Sequence, residues 1–202
     1  MIGAGATQVL RYVIHTVFYS LFINVAKGDD EKTRIKYAKK CCEHLFRFIY
    51  FSTAAFWGWY VLHNNNFLYE GLGGPKGGTP LNMVKDGDPS IFDSFDPALI
   101  DYSLYTYGFH FGNLIQHFIE DWGSTDFYEM FIHHIAANSL YFGYINGNII
   151  TFGSTVAYLH DIADVPANLG KVLSSTRFEL PSLITGLFLM VSWGYTRIYY
   201  LP

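Results

Sequence analysis

Apolar residues along the chain collect into six long stretches that are separated by shorter polar segments. Each stretch holds about 19–22 residues, close to the ~20 that a helix needs to cross a ~30 Å hydrocarbon core. The stretches are approximately Gln8–Ala26, Cys42–Leu62, Leu99–Phe118, Phe127–Ile145, Ile149–Leu169 and Leu180–Leu201. This pattern predicts an all-α fold, a polytopic membrane protein with about six transmembrane helices.

Tyr, Asn, His and Asp interrupt most of these stretches, which is typical of helices that face one another or a wet cavity. The first stretch carries Arg11 and lacks a small-residue cleavage motif, so we interpret it as a retained helix and not as a signal peptide.

The connecting segments predict an orientation. Six basic residues separate the first two stretches, whereas the connection Gly71–Pro97 is rich in Gly, Pro and Asp and is expected to be a long loop. Because positive charge favours the inner side of a membrane, the first connection is expected there. Its basic residues are Lys27, Lys32, Arg34, Lys36, Lys39 and Lys40.

Composition supports a membrane protein. Half of the 202 residues are hydrophobic and only 15% are charged, against roughly 25% in soluble domains. The net charge is −4 and no basic face forms, so a nucleic-acid partner is not expected. Cys41 and Cys42 are sequence neighbours and cannot form an ordinary structural disulfide.

Polar residues of the third, fourth and fifth stretches fall at similar depths. Counting 1.5 Å per residue from Asp126 places His134 roughly 12 Å deep, and counting back from Lys171 places Asp161 roughly 15 Å deep. We therefore expect one polar layer in the inner half of the membrane. The residues of this layer are His110, His117, His133, His134, Asp161 and Asp164.

Helical spacing also places these residues on shared faces. The pair Asn146–Gly147 predicts a tight turn, so the fourth and fifth helices are expected to be antiparallel neighbours. The stripe on the fourth helix is His134, Asn138 and Tyr141, and the stripe on the fifth is Asp161, Asp164 and Asn168.

Such a set can perform acid–base chemistry. A neutral histidine can take a proton from an attacking amine or hydroxyl while a carboxylate fixes its tautomer, and a histidine can also accept an acyl group itself. Alternatively, His and Asp side chains within a membrane only form hydrogen bonds between helices. The histidines outside this pattern, to which no chemistry is assigned, are His15, His44 and His63.

These residues resemble a known family. The run Asp126-Phe127, His133-His134, then His160-Asp161-x-x-Asp164 and Lys171 is similar to the signature of TLC-domain proteins, which include the ceramide synthases. Three longer segments resemble the same family: "KYAKKCCEHLFRFIYFSTAAFWGWYVL", "LYTYGFHFGNLIQHFIEDWGSTDFYEMFIHH" and "YTRIYYLP". The resemblance implies a single integral-membrane TLC-like domain over residues 1–202, with an N-terminal helix and basic loop at 1–35 and the TLC-like region at 36–202.

The resemblance also implies a chemistry, the N-acylation of a sphingoid base by acyl-CoA. The residues that would be catalytic are His133, His134, Asp161 and Asp164. The residues expected to bind substrate or lipid are His110, His117, Asn138, Tyr141, His160 and Asn168. No metal and no bound cofactor are expected, although acyl-CoA would be a co-substrate and a structural phospholipid is expected.

The sequence departs from the family pattern at three positions: ceramide synthases usually carry a basic residue at the position of Thr125 and a Thr at that of Ala137, and often a Glu at that of Asn168. The sequence also stops at Pro202, before the family's final helix. These departures favour a lipid-binding accessory subunit of a larger membrane complex, in which other membrane subunits close the open side. An active N-acyltransferase is the alternative, and a metal or haem protein using the eight histidines is a third. The resemblance implies that the protein is located in the endoplasmic reticulum. A role as an accessory subunit would also be compatible with the mitochondrial inner membrane.

Overall fold

The computed structural model describes residues 2–83, 96–120, 122–123, 127–147 and 149–200. In these ranges the chain is all-α, with six α-helices and one isolated antiparallel bridge between Ala26 and Thr176. The helices are α1 (Ile2–Val25), α2 (Glu31–Asn64), α3 (Pro97–Glu120), α4 (Phe127–Asn146), α5 (Ile150–Ser174) and α6 (Glu179–Gly194). The predicted all-α class and the order of the helices are confirmed.

Several helix bounds differ from the predicted stretches, and the start of α2 and the end of α6 differ most. α2 begins at Glu31, well before Cys42, because the basic segment consists of good helix formers and Asp30 caps it by accepting from the Thr33 N–H. α6 ends at Gly194, and residues Tyr195–Tyr200 continue as a π-helical turn.

The prediction that each stretch forms a transmembrane helix is not confirmed. Among the helices that the structure describes, none is both long enough and apolar enough to cross a membrane. α6 has only 16 residues. The longer helices contain polar residues such as Asn138 in α4 and Asp161 in α5, which lower their mean hydropathy.

The chain divides into two compact units. The first comprises residues 1–7 and 56–157, and therefore the end of α2, all of α3 and α4, and the start of α5. Its largest fully buried side chains include Leu62, Leu68, Tyr102 and Phe109. The buried hydroxyls of Ser103 on α3 and Ser154 on α5 lie 2.8 Å apart and join these two helices.

The described part of the predicted Gly71–Pro97 loop packs against the chain at the end of α2 through two glycines. It contains two short 3₁₀ turns, Glu70–Leu72 and Pro80–Met83. A Cβ atom at Gly74 or Gly78 would overlap the backbone carbonyl of Leu68, so glycine is required at both positions. Residues 84–95 of the predicted loop lie outside the described residues.

The second unit comprises residues 8–55 and 158–202, and therefore most of α1, the first part of α2, the end of α5, and α6. Its apolar core is formed by Phe22, Ala26, Ala38, Cys41, Cys42 and Val172. Both cysteines are buried free thiols. The bridge between Ala26 and Thr176 holds the chain after α1 beside the chain after α5.

The orientation of side chains on α6 is inverted relative to a soluble helix. The less exposed positions carry small polar residues, among them Ser182, Thr185 and Ser192. α5 packs beside α6 at this point, because a Cβ atom at Gly170 on α5 would lie 3.6 Å from the methyl group of Thr185, an ordinary van der Waals contact. The exposed positions of α6 are Leu180, Leu183, Ile184, Leu187, Phe188, Met190, Val191 and Trp193.

Candidate functional site

His117 on α3 is buried against the start of α4. Its Nε2 lies 3.0 Å from the backbone oxygen of Phe127, and its ring stacks on the Phe127 ring with centroids 5.0 Å apart. Because a carbonyl oxygen can only accept, Nε2 is the donor and carries hydrogen. The ring of His134 lies 5.4 Å from that of His117, so these two predicted site residues are neighbours.

Asn138 on α4 connects the remaining polar residues of the first unit. Its Nδ2 donates to the backbone oxygens of His134, at 2.8 Å, and of His110 on α3, at 3.2 Å. The His110 ring stacks on Tyr141 with centroids 4.8 Å apart. The structure therefore brings together the predicted site residues His110, His117, His134, Asn138 and Tyr141.

The side chain of His133 lies on a different face of α4 from that of His134. Its side chain is exposed, whereas His134 is half-buried, because adjacent residues of an α-helix point about 100° apart. The two imidazole rings are 5.7 Å apart at a steep angle. The catalytic roles predicted for the two histidines therefore concern side chains with different surroundings.

The acidic motif belongs to the second unit. On α5, Asp161 and Asn168 are buried, while His160 and Asp164 are half-buried. The Asn168 Nδ2 donates to the backbone oxygen of Asp164 at 2.9 Å, one turn earlier on the helix. This bond fixes the orientation of the Asn168 amide.

His44 on α2 is a residue that the sequence prediction missed. Its Nδ1 lies 3.4 Å from the Oδ1 of Asn168. The two residues are 124 positions apart, and no local spacing relates them. Their contact follows from the antiparallel pairing of α2 with α5. The Cys41 thiol, which contacts the Val172 oxygen, is a second sign of this pairing.

A cluster of charges lies beside His44. The Glu43 carboxylate accepts from Arg11 Nε at 2.7 Å and from Arg47 Nε at 3.1 Å, and His15 Nε2 lies 3.7 Å from it. Arg11 and Glu43 are mostly buried, so this group ties α1 to α2. Buried charges persist when they are paired in this way.

Within the described ranges, no group of three or more His, Cys, Asp or Glu side chains is arranged to hold a metal ion. The imidazole, amide and carboxylate groups of the described site residues can all form hydrogen bonds, and the imidazole and carboxylate groups can also transfer protons.

The fold and the site define a class, an all-helical domain with polar side chains between its helices. The model of the TLC domain matches residues 40–202. The chain belongs to the TLC-domain family.

Similar curated proteins are ceramide synthases. The chain is 27% identical to ceramide synthase hyl-1 of Caenorhabditis elegans over 169 residues, which is 82% of this chain and 42% of that protein. It is 28% identical to human ceramide synthase 4 over 84% of this chain and 40% of that protein. It is 24% identical to the sphingosine N-acyltransferase lag1 of Schizosaccharomyces pombe over 78% of this chain and 37% of that protein. The chain thus spans about two fifths of the length of these relatives.

Proposed function

We propose that this chain is a membrane-embedded TLC domain that binds a lipid and serves as an accessory subunit of a larger membrane complex. The observation that supports embedding is the inverted α6, on which apolar side chains face outward and small polar ones face inward. Leu183, Phe188 and Val191 are 62%, 63% and 71% exposed. An exposed apolar surface of this extent calls for lipid or for a partner protein.

The polar layer between α3 and α4 supports lipid binding. Imidazole and amide groups at this position can form hydrogen bonds to a lipid headgroup. The aromatic rings of Tyr141 and Tyr107 can pack against the acyl chain of the same lipid. The partners proposed are therefore membrane lipids, including a structural phospholipid, and membrane subunits that cover α6. No bound cofactor is proposed.

The accessory role is supported by the contacts that the polar residues make and by the side chain present at position 168. Asn138, His110 and His117 are engaged with backbone oxygens or neighbouring rings within the unit. Asn168 has an amide at a position where ceramide synthases often carry a carboxylate, and an amide cannot serve as a base. These features favour a binding role over proton transfer.

An N-acyltransferase is the second candidate, because His133, His134, Asp161 and Asp164 are all present and the similar proteins are named for that activity. In that reaction His134 would accept a proton from the amine as its nitrogen attacks the thioester carbonyl of acyl-CoA. The C–S bond then breaks, and the proton passes to the departing thiolate. The endoplasmic reticulum is the proposed location for the enzyme, and the mitochondrial inner membrane is a further option for an accessory subunit.

The two candidates are separated by measuring native mass and activity on protein extracted in mild detergent from its own membrane. The accessory role predicts migration only with a large complex, co-purifying lipid, and no amide product from acyl-CoA and a sphingoid base. Turnover at the mass of a monomer or small oligomer, abolished by His134→Ala and retained by His63→Ala, would instead establish the enzyme. His63 is a suitable control because it lies near the end of α2 and contacts the Gly73 oxygen.

A further inference from the structure

One face of the first part of α2 is basic. Four lysines of the predicted connection between the first two apolar stretches lie on this helix, because α2 begins at Glu31. Their spacing places them within an arc of about 100°, and all four are exposed. We call this set the lysine face, and its residues are Lys32, Lys36, Lys39 and Lys40.

Packing holds the lysine face outward. The opposite side of the same turns carries Ala38, Cys41 and Cys42, which are buried in the apolar core of the second unit. No basic face was expected from the sequence, and the structure corrects this expectation, because helical geometry gathers lysines that the chain order only spreads over nine positions.

We propose that the lysine face docks on the anionic headgroups of phospholipids at the surface of the membrane. This inference rests on the membrane embedding in the proposed function. It adds the class of lipid that is recognised and the element of the chain that contacts it.

The charge of this segment is opposite in sign to that of the whole chain. Residues 27–40 contain six basic and three acidic side chains, a net charge of +3, whereas the chain as a whole has a net charge of −4. The three acids are consecutive and precede the lysine face, and Asp30 is used in accepting from the Thr33 N–H. Acids at this position are favoured by the N-terminal end of the helix dipole, so the turns that follow remain basic.

Nearby carboxylates do not neutralise the lysine face. Glu43 follows on the same side of α2, but its carboxylate is held by Arg11 and Arg47. In the described ranges none of the four lysines forms an ion pair. Their ammonium groups are therefore available to an external anionic surface.

Exposed apolar side chains lie at the same end of the second unit. The bridge between Ala26 and Thr176 holds the chain before α2 beside the chain after α5. Leu21 near the end of α1 is exposed, and so are Phe178 and Leu180 at the start of α6. Lysines next to apolar surface match the boundary of a bilayer, where ammonium groups reach headgroups above the acyl chains. A nucleic acid or a soluble acidic protein would neutralise the lysines but would leave these apolar side chains in water.

The test measures lipid selectivity with spin-labelled phospholipids. The full chain is reconstituted in phosphatidylcholine vesicles that hold a small amount of spin-labelled phosphatidylserine or spin-labelled phosphatidylcholine, and the motionally restricted fraction reports association with the protein. We expect association of phosphatidylserine to be about fivefold stronger at low salt, which corresponds to about 1 kcal/mol, the effect of one lysine near an anionic surface. The preference should disappear at about 1 M salt, where the screening length is about 3 Å.

Charge variants assign the preference to the lysine face. Replacing its four lysines together by Gln should make the two lipids associate equally, whereas replacing them together by Arg should keep the preference because the charge remains. An unchanged restricted fraction of phosphatidylcholine shows that the Gln variant is folded and embedded. Lys76→Gln removes an exposed lysine of the first unit and should leave the preference unchanged.

Equal association of both lipids with the unaltered chain would overturn the assignment, and so would a preference that persists in the Gln variant. Binding of poly-glutamate that depends on the four lysines, without any lipid preference, would assign the lysine face to an acidic protein instead. The absence of restricted lipid of either kind would contradict membrane embedding itself, and this inference with it.

Discussion

The side-chain amide of Asn138 on α4 donates to the backbone oxygen of His110 on α3 across 3.2 Å. The same nitrogen also donates to the His134 oxygen within α4, so one buried side chain links two elements of the polar layer. Where helices carry polar side chains among their buried residues, hydrogen bonds of this kind add to the apolar packing that holds the helices together.

Replacing Asn138 should therefore loosen the contact between α3 and α4. We expect Asn138→Ala to lower the free energy of unfolding in detergent by about 1 kcal/mol, the typical scale of interhelical hydrogen bonds. The control is Asn146→Ala, because Asn146 is exposed and, among the described residues, its side chain donates only to the Phe142 oxygen one turn earlier on α4. Equal melting temperatures of the two variants would show that the bond to His110 carries no stability.

A second prediction concerns the approach of α5 to α4. A Cβ atom at Gly153 would overlap the aromatic ring of Tyr144, which is buried. Gly153→Ala should destabilise the protein by about 1–3 kcal/mol through overpacking. Gly143→Ala on α4 is the matched variant, since its Cβ atom meets open space, and it should stabilise by about 0.5–1 kcal/mol.

Thermal unfolding of both glycine variants in the same detergent checks this pair. The decisive result is the sign of the difference, because a general effect of alanine on helix formation would shift both melting temperatures upward.

The helices could be predicted from the sequence because long apolar stretches are local signals. The grouping of His134 with Asn138 was likewise local, since residues four apart on a helix are neighbours. The exposure of His133 was harder to predict. The two adjacent histidines form one sequence motif, although their side chains point about 100° apart on a helix.

Contacts between distant segments could not be predicted. The approach of His44 to Asn168 depends on the pairing of α2 with α5, and nothing in either segment specifies its partner. The packing of Gly74 and Gly78 against Leu68 was similarly hidden, because a Gly-rich composition indicates a loop without indicating its path. Such information lies in tertiary packing, not in residue spacing.

A third prediction concerns the start of α3, where Asp96 is the N-cap before Pro97. The Asn65 amide donates to the Asp96 carboxylate at 2.8 Å and the Ala98 N–H donates at 2.9 Å, and these bonds lower the Asp96 pKa below its ordinary value of 3.8. A lowered carboxyl pKa means that this stabilisation is complete above the pKa of the unfolded chain and is lost as the pH falls through the folded value.

Asp96→Ala should lower the free energy of unfolding at neutral pH by about 1 kcal/mol, the usual cost of losing a cap. Asp96→Asn keeps an oxygen acceptor but has no titrating carboxyl, so its stability should be nearer the original and should lack this acid-dependent component. Unfolding curves between neutral pH and pH 3 measure both effects. A variant Asp96→Asn that loses stability in acid as steeply as the original chain would contradict the assignment.

The last prediction concerns Glu43, whose carboxylate joins Arg11 of α1 to α2 with side chains that are 17% and 18% exposed. Glu43→Gln removes the charge that compensates a mostly buried guanidinium, so we expect a loss of about 1–2 kcal/mol, below the cost of breaking a fully buried pair. Arg47→Gln removes the ion pair between Arg47 and Glu43 within α2, in which Arg47 is the more exposed side chain, and should lower the free energy of unfolding by about 0.3–0.5 kcal/mol.

Amide hydrogen exchange locates the effect. Exchange in α1 should accelerate in Glu43→Gln, because Arg11 loses its partner carboxylate, and should be unchanged in Arg47→Gln. Identical exchange of α1 in both variants would show that the carboxylate does not hold this helix.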